Sequence, residues 1–292
     1  PTDLFWGQKA DVRTCILVLQ KGKKFQSDVL VADRPNNTNE LKTILEKRNF
    51  KKVKLNSIRL NNGKSANQIL IDVDSNIVDL FYNCKQISEV SKCVTCISTG
   101  DDNKYLSKEK KEGFTIPFYK NPASRRFYSE ADAYLTDSYL TASLSDKNFM
   151  VRNRPLLANE GIACSSMGLP FSAVYLPKEA VTGVNPTLFP SAEDIYWLLS
   201  YLNSSLVTYL IRGVLIRSNM VTSGYVNCLP VLDFNEDEKQ RLSDIALQVL
   251  QKTVSTDIAL MEIDKIVFQK TSFEQVLIEQ IIYFCKNLGK CV

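Results

Sequence analysis

Between about residues 53 and 231, one stretch apart, the apolar runs of the chain are short. β-Branched or aromatic blocks recur at 58–60, 68–73, 94–97, 115–119, 134–135, 161–165, 173–176 and 181–184. Turn formers such as Asn62-Gly63 and Gly168-Leu169-Pro170 punctuate them. Blocks of this length, bounded by Gly, Pro and Asn, fit short strands and are too brief for helices that bury a stripe. The pattern argues against an all-helical fold and predicts a strand-rich module. One helix interrupts it: Ser191 is placed as a cap, Asp194 lies three residues on, and Ile195, Leu198, Leu199, Leu202, Leu206 and Tyr209 recur at helical spacing.

The flanks differ. Residues 12–21 read as a buried strand, Lys21-Gly22-Lys23-Lys24 as a turn and 27–33 as a second strand, together a hairpin. Asn39 is the expected N-cap of a short helix over 40–48. Beyond residue 233 the spacing turns helical. Asn235 caps a charged helix with Leu242, Ile245, Ala246, Val249 and Leu250 on one face. A second run holds Ile258, Met261, Ile263 and Val267, and a third holds Val276, Ile278, Ile281, Ile282 and Phe284. The expected class is α+β: a hairpin-bearing piece over 1–55, a strand-rich module with inserted helices over 56–232, and a helical tail over 233–292.

Composition narrows the chemistry. Hydrophobic residues make up 45% and charged residues 23% of the 292, as in a soluble globular chain. No apolar run approaches the ~20 residues that span a bilayer, no signal-peptide pattern opens the chain, and no membrane role is expected. Histidine is absent, which removes imidazole base catalysis, His-activated nucleophiles and His-ligated metals. The eight cysteines are scattered, and Cys93-x-x-Cys96 has no second pair at zinc-ribbon or finger spacing. A reduced, cytoplasmic chain without a metal is expected. No glycine-rich nucleotide loop is present, and Glu109-x-Lys111 sits in a lysine-rich loop rather than a strand. No catalytic residue is nominated. A net charge of +4 permits a local DNA-binding patch without announcing one.

Candidate contacts lie at the ends of elements. In the turn Ser98-Thr99-Gly100-Asp101-Asp102-Asn103-Lys104, backbone N–H groups and small hydroxyls suit phosphate oxygens. Asp101, Asn103 and Lys104 have side chains of the type that meets base edges or phosphates. An ordinary connection has equal standing on these residues alone. Phe118-Tyr119-Lys120-Asn121 and Arg125-Arg126-Phe127-Tyr128 interleave cations with aromatics. The aromatics read better as core, whereas Lys120, Arg125 and Arg126 read as ligands of nucleic acid. Arg154, Ser166, Arg217 and Asn219 complete the candidate set, each equally compatible with a solvated face.

The order of these blocks resembles a known family. Ile97-Ser98-Thr99-Gly100-Asp101-Asp102-Asn103-Lys104-Tyr105-Leu106 is followed by Phe118-Tyr119-Lys120, Arg125-Arg126-Phe127-Tyr128 and Glu160-Gly161-Ile162. Phe171-Ser172-Ala173, Leu188-Phe189-Pro190, Leu202-Asn203-Ser204-Ser205-Leu206-Val207 and Leu229-Pro230 come next. This series, over about residues 56 to 232, resembles the target recognition domain of Taq-like and Eco57I-like adenine-N6 DNA methyltransferases of restriction-modification systems. Val12-Arg13-Thr14-Cys15-Ile16-Leu17 is similar to the closing strand of the catalytic domain in those enzymes. The family's glycine-rich cofactor motif and its Asn-Pro-Pro-Tyr motif have no match.

The resemblance implies the C-terminal part of a modification methylase that reads double-stranded DNA for a catalytic domain outside this chain. S-adenosylmethionine would belong to that domain, and fused enzymes of the kind add a nuclease domain. It also implies DNA contacts by Thr99, Gly100, Asp101, Asn103, Lys104, Lys120, Arg125, Arg126, Arg154, Ser166, Arg217 and Asn219. The alternative is a protein-interaction module, or a specificity subunit of a multi-subunit restriction-modification complex, whose helical tail pairs with a partner.

Overall fold

The computed structural model describes residues 18, 28–33, 35, 37–60, 68–71, 73–122, 125–216 and 220–288. Contacts divide the chain into two compact units, Pro1–Asp74 and Ser75–Val292.

The first unit holds β1 (Asp28–Val31), α1 (Thr38–Lys47), β2 (Lys51–Lys54), α2 (Leu55–Ile58), β3 (Arg59–Leu60) and β4 (Gln68–Ile69). β1 and β2 pair antiparallel with Val29 opposite Val53. The expected first strand and turn of the hairpin, 12–24, lie outside the described residues apart from Val18. The cap of α1 is Asn37 and not Asn39: its Oδ1 accepts the Glu40 N–H at 2.9 Å, while Asn39 sits inside the helix. Glu40 stands three residues after Asn37, the spacing that favours that position. Arg48 closes the helix at φ 51°, its N–H turned back to Ile44 and Leu45.

In the second unit α3 (Ser75–Asn83), β5 (Lys85–Gln86) and α4 (Ile87–Val90) lead into β6 (Lys92–Val94) and β7 (Ile97–Ser98). Next come α5 (Asp102–Tyr105), β8 (Leu106–Ser107), β9 (Ile116–Tyr119), β10 (Ala133–Leu135), α6 (Tyr139–Ser145) and β11 (Met150–Val151). The second half of the module is β12 (Gly161–Cys164), β13 (Ala173–Leu176), β14 (Val181–Thr182) and β15 (Thr187–Phe189). Helices α7 (Ile195–Leu202) and α8 (Ser205–Tyr209) follow, and α8 runs on as a π-helical turn, Leu210–Leu215. Then α9 (Ser223–Asn227) and β16 (Pro230–Val231) precede α10 (Glu236–Leu250), α11 (Thr256–Gln269) and α12 (Gln275–Lys286). The α+β class expected from the sequence is observed.

Two four-stranded sheets organise the module, in orders β14-β9-β10-β8 and β13-β12-β15-β6, with β14 parallel to β9 and the other pairs antiparallel. The strand expected over 94–97 splits. β6 pairs with β15, whereas β7 pairs with β11. The chain changes sheets at Thr95 and Cys96, whose backbone is taken up from other segments: Cys96 donates to Gly183 at 2.9 Å and Arg152 donates to Cys96 at 3.0 Å. One core packs Ile97, Tyr105, Phe118, Leu135, Phe149 and Val181; another packs Tyr119, Ala163, Val174, Leu176 and Ala180. Gly161 is obligatory where β12 meets β15, because a Cβ there would sit 2.4 Å from the Leu188 carbonyl oxygen.

The helix expected over 191–209 is two helices bent by 56°. Asp194 holds the N-cap position, and Ser191 donates to its carboxylate at 2.5 Å. Asn203 causes the break. Its Oδ1 accepts the Ala173 N–H at 3.0 Å and its Nδ2 donates to the carbonyls of Ala173 and Leu199, both at 2.9 Å. Ser204 then caps α8 through the Val207 N–H. No single described helix is long and apolar enough to cross a membrane. The bent pair meets that length and composition only when joined, and most of its side chains are buried within the protein.

The tail begins where expected, with Asn235 and Glu238 forming a capping box. Leu242, Ala246 and Val249 are buried as α10 packs on α7, where Ser200 donates to the Leu242 carbonyl at 2.7 Å. The faces of the next two helices differ from the expected ones. Ala259, Ile263, Ile266 and Val267 are buried on α11, while Ile258 and Met261 are exposed; on α12 Leu277 and Ile281 are buried and Val276 is exposed.

Candidate nucleic-acid interface

The turn after β7 leaves the sheet because Gly100 adopts φ +69°. A Cβ there would meet the Asn148 backbone oxygen at 2.7 Å, so both conformation and space demand glycine. Asp101 caps α5, accepting the N–H groups of Asn103 at 3.0 Å and Lys104 at 3.3 Å. Thr99 is buried and donates its hydroxyl to Asp102 Oδ1 at 2.5 Å. The second carboxylate oxygen of Asp102 receives the Lys120 ammonium. The Lys120 ammonium, and after it the Thr99 hydroxyl, holds the Asp102 carboxyl below the usual carboxylate range.

An open cleft of about 370 Å³ lies over this pair, lined by residues 97–102, Phe118, Lys120, Gly183 and Val184. Its walls are the turn, the end of β9 and the chain leaving β14, joined by Gly183 N–H donating to the Tyr119 carbonyl at 3.0 Å. The floor is the core around Phe118 and Ile97.

Asp132 fixes the far side. Its Oδ2 accepts the backbone N–H of Lys120 at 2.8 Å and of Asn121 at 3.2 Å, and its Oδ1 takes Arg125 Nη2 at 2.6 Å. Asn121 in turn accepts the Ser166 N–H at 3.1 Å and donates to the Met167 carbonyl at 3.4 Å. Arg212 is buried on the π-helical turn and donates to the Gly168 carbonyl at 2.7 Å. Met167 and Leu169 stay exposed on the loop so held.

The candidates thus separate by place. Thr99, Gly100, Asp101 and Lys120 line one cleft, and Ser166 is tied to it through Asn121. Asn103 is exposed on α5. Lys104 lies over the Tyr105 ring and pairs with Asp146 at 3.5 Å; Tyr105 donates its hydroxyl to the same carboxylate at 2.7 Å. Arg154 donates to Ser143 Oγ at 2.9 Å, beside α6. Arg126 turns inward to the Asn203 carbonyl at 3.2 Å, and burial lowers the proton affinity of its guanidinium. Arg217 and Asn219 lie outside the described residues. Of the aromatics, Phe118, Tyr119 and Phe127 are core, but Tyr128 is exposed with Lys252 over its ring at 5.9 Å.

Asp102 was not singled out by sequence, although it is the hub of the cleft. The Thr99-x-x-Asp102 spacing was its legible signal, a hydroxyl three residues before a carboxylate. Asp132, Asp146 and Asn203 carried no comparable local mark. Three exposed cations, Lys104, Lys120 and Arg125, each meet an aspartate.

No protein-family model and no curated protein matches the chain. Among solved structures, one similar chain belongs to work on the "structural basis underlying complex assembly and conformational transition of the type I R-M system". The match covers 68% of this chain and 44% of that one, at 13% identity and a TM-score of 0.36. The present chain therefore corresponds to less than half of that chain's length, and a likeness this slight carries no statement about function.

Proposed function

We propose that the chain is a sequence-reading module for double-stranded DNA, serving an adenine-N6 methyltransferase of a restriction-modification system in the cytoplasm. The observation that supports it most is the cleft over Asp102 and Lys120. A glycine turn brings backbone polar groups, a buried hydroxyl and a fixed donor–acceptor pair to one open surface. Base edges are read by donors and acceptors held in place, and phosphate contacts only position them. The motif order along residues 56–232 supports the same reading. In it the methyl transfer, its S-adenosylmethionine and any cleavage belong to partner domains. This chain selects the site and helps present an extruded adenine to them.

Selection from a randomised duplex library by the 292-residue chain at low salt is the test. Enrichment of one short sequence over successive rounds is expected. Recovery of a library no different from the input, with the catalytic domain supplied as well, overturns the proposal.

A second reading has its own support. Ile258 and Met261 on α11 and Val276 and Tyr283 on α12 are all more than half exposed. Large apolar side chains in that position favour a partner-binding role for the tail. Serine at all four positions would release a co-purifying subunit under that reading and leave DNA selection unchanged.

A further inference from the structure

We infer that Asp102 and Lys120 together read one G·C base pair through its major-groove edge. This rests on the DNA-reading proposal and extends it to the chemistry of a single position.

The pair presents complementary groups side by side. Asp102 uses one lone pair on Oδ1 for the Thr99 hydroxyl and one on Oδ2 for Lys120, so each oxygen keeps acceptor capacity. Lys120 keeps two of its three N–H donors. Both side chains remain accessible, at 43% and 56% exposure, and both line the cleft. Their geometry is set beforehand. Thr99, which orients the carboxylate, is buried, and the Lys120 backbone is fixed by Asp132 at 2.8 Å.

A phosphate does not suit this arrangement. The carboxylate neutralises the ammonium it touches and repels an approaching anion, so little counterion release would follow. A base edge does suit it. Guanine offers two adjacent acceptors, N7 and O6, to an ammonium, and the cytosine paired with it offers an N4 donor to a carboxylate. Adenine sets its N6 donor beside N7, against the second ammonium N–H, and thymine sets a methyl group against a charged pair. The pair also contributes little to folding, because ion pairs this exposed stabilise by about 0–1 kcal/mol at most. Substitutions here therefore leave the fold in place.

The experiment repeats the library selection with Lys120→Met and Asp102→Asn, each checked for an unchanged melting temperature. The wild-type chain is expected to fix G·C at one position of its site. Lys120→Met then loses about 5- to 150-fold of discrimination at that position alone. Asp102→Asn moves preference at the same position toward A·T, since an amide suits adenine. Three results overturn the inference: uniform weakening across all sequences with a shallower salt slope, relaxation at a position that is A·T in the wild-type site, and no change at any position. If the wild-type chain enriches nothing even with the catalytic domain supplied, the DNA-reading proposal itself fails, an outcome distinct from these three.

Discussion

Asp264 of α11 caps the start of α8: its carboxylate accepts the Ser205 backbone N–H at 2.8 Å and the Ser205 hydroxyl at 2.6 Å. Arg126, from the loop after β9, acts on the same carboxylate electrostatically and donates to Asn203 two residues before Ser205. Cys285 of α12 donates its thiol to the Ser205 carbonyl at 3.3 Å, and burial pushes that thiol up to about 12. The bend between α7 and α8 is thus the point at which sheet, helices and tail are fastened to one another.

Removing the carboxylate should loosen that fastening. Asp264→Ala leaves the Ser205 N–H without its acceptor and removes one of the acidic groups that act on the inward charge of Arg126. A loss of about 3 kcal/mol in unfolding free energy is expected. Urea titration measures it, and a loss below about 0.5 kcal/mol would show the contact to be incidental.

The same group has a pH signature. Burial is the largest influence on Asp264 and raises its proton affinity above the ordinary 3.8, outweighing the Ser205 hydrogen bonds and Arg126. A raised acid binds more protons folded than unfolded, so its contribution to stability falls as pH rises from 3.8 through the folded value, then levels. Asp102 and Asp146 are lowered, and their contributions are lost in the opposite direction, as pH falls below the ordinary carboxylate range. The stability difference between wild type and Asp264→Asn should therefore shift against the wild type as pH rises from about 4. A flat difference over pH 3.5–7 contradicts the burial assigned to this carboxyl.

Asn203 allows a sharper substitution because aspartate has nearly its shape. The Asn203 amide is fully buried, and its Nδ2 donates to two carbonyls. Asn203→Asp turns that donor into an acceptor facing both carbonyls, and buries a charge or a proton in its place. A cost of about 3–5 kcal/mol at pH 7 is expected, smaller in acid where the new carboxyl can donate one hydrogen bond. Thermal unfolding at pH 7 and pH 4.5 checks it, and equal stability to the wild type at both would remove Asn203 from the role of splice between β13 and the helices.

How far these relationships were legible depends on their range. Asn235 with Glu238 and the strand over 173–176 follow from spacing along the chain, and the fold has them there. The cap at Asn37 carries the same mark, with Glu40 three residues on. The break at Asn203 carries no such mark, since Leu198, Leu199, Leu202 and Leu206 keep helical spacing across it. Its cause is Ala173, 30 residues away on a strand. The exposure of Ile258 and Met261 was equally hidden. Apolar residues fall on more than one side of α11, and only packing against α7, α8 and α10 decides which side is buried. The turn residues lining the cleft are visible as a motif, but the aspartates that answer Lys104 and Arg125, which lie outside it, arrive from residues 146 and 132, and sequence spacing carries no trace of those meetings.

Those aspartates alter what salt should do to DNA binding. A row of unpaired lysines and arginines would release about one counterion each and make affinity fall steeply with ionic strength. Lys104, Lys120 and Arg125 instead meet Asp146, Asp102 and Asp132, so each site brings almost no net charge to a phosphate. Replacing all three with alanine should leave the slope of log affinity against log salt near that of the unaltered chain, while discrimination between the selected sequence and a scrambled duplex collapses. If the slope instead falls by about 2.7, as three phosphate contacts require, the aspartates do not hold these cations in the complex and this surface grips the backbone rather than the bases.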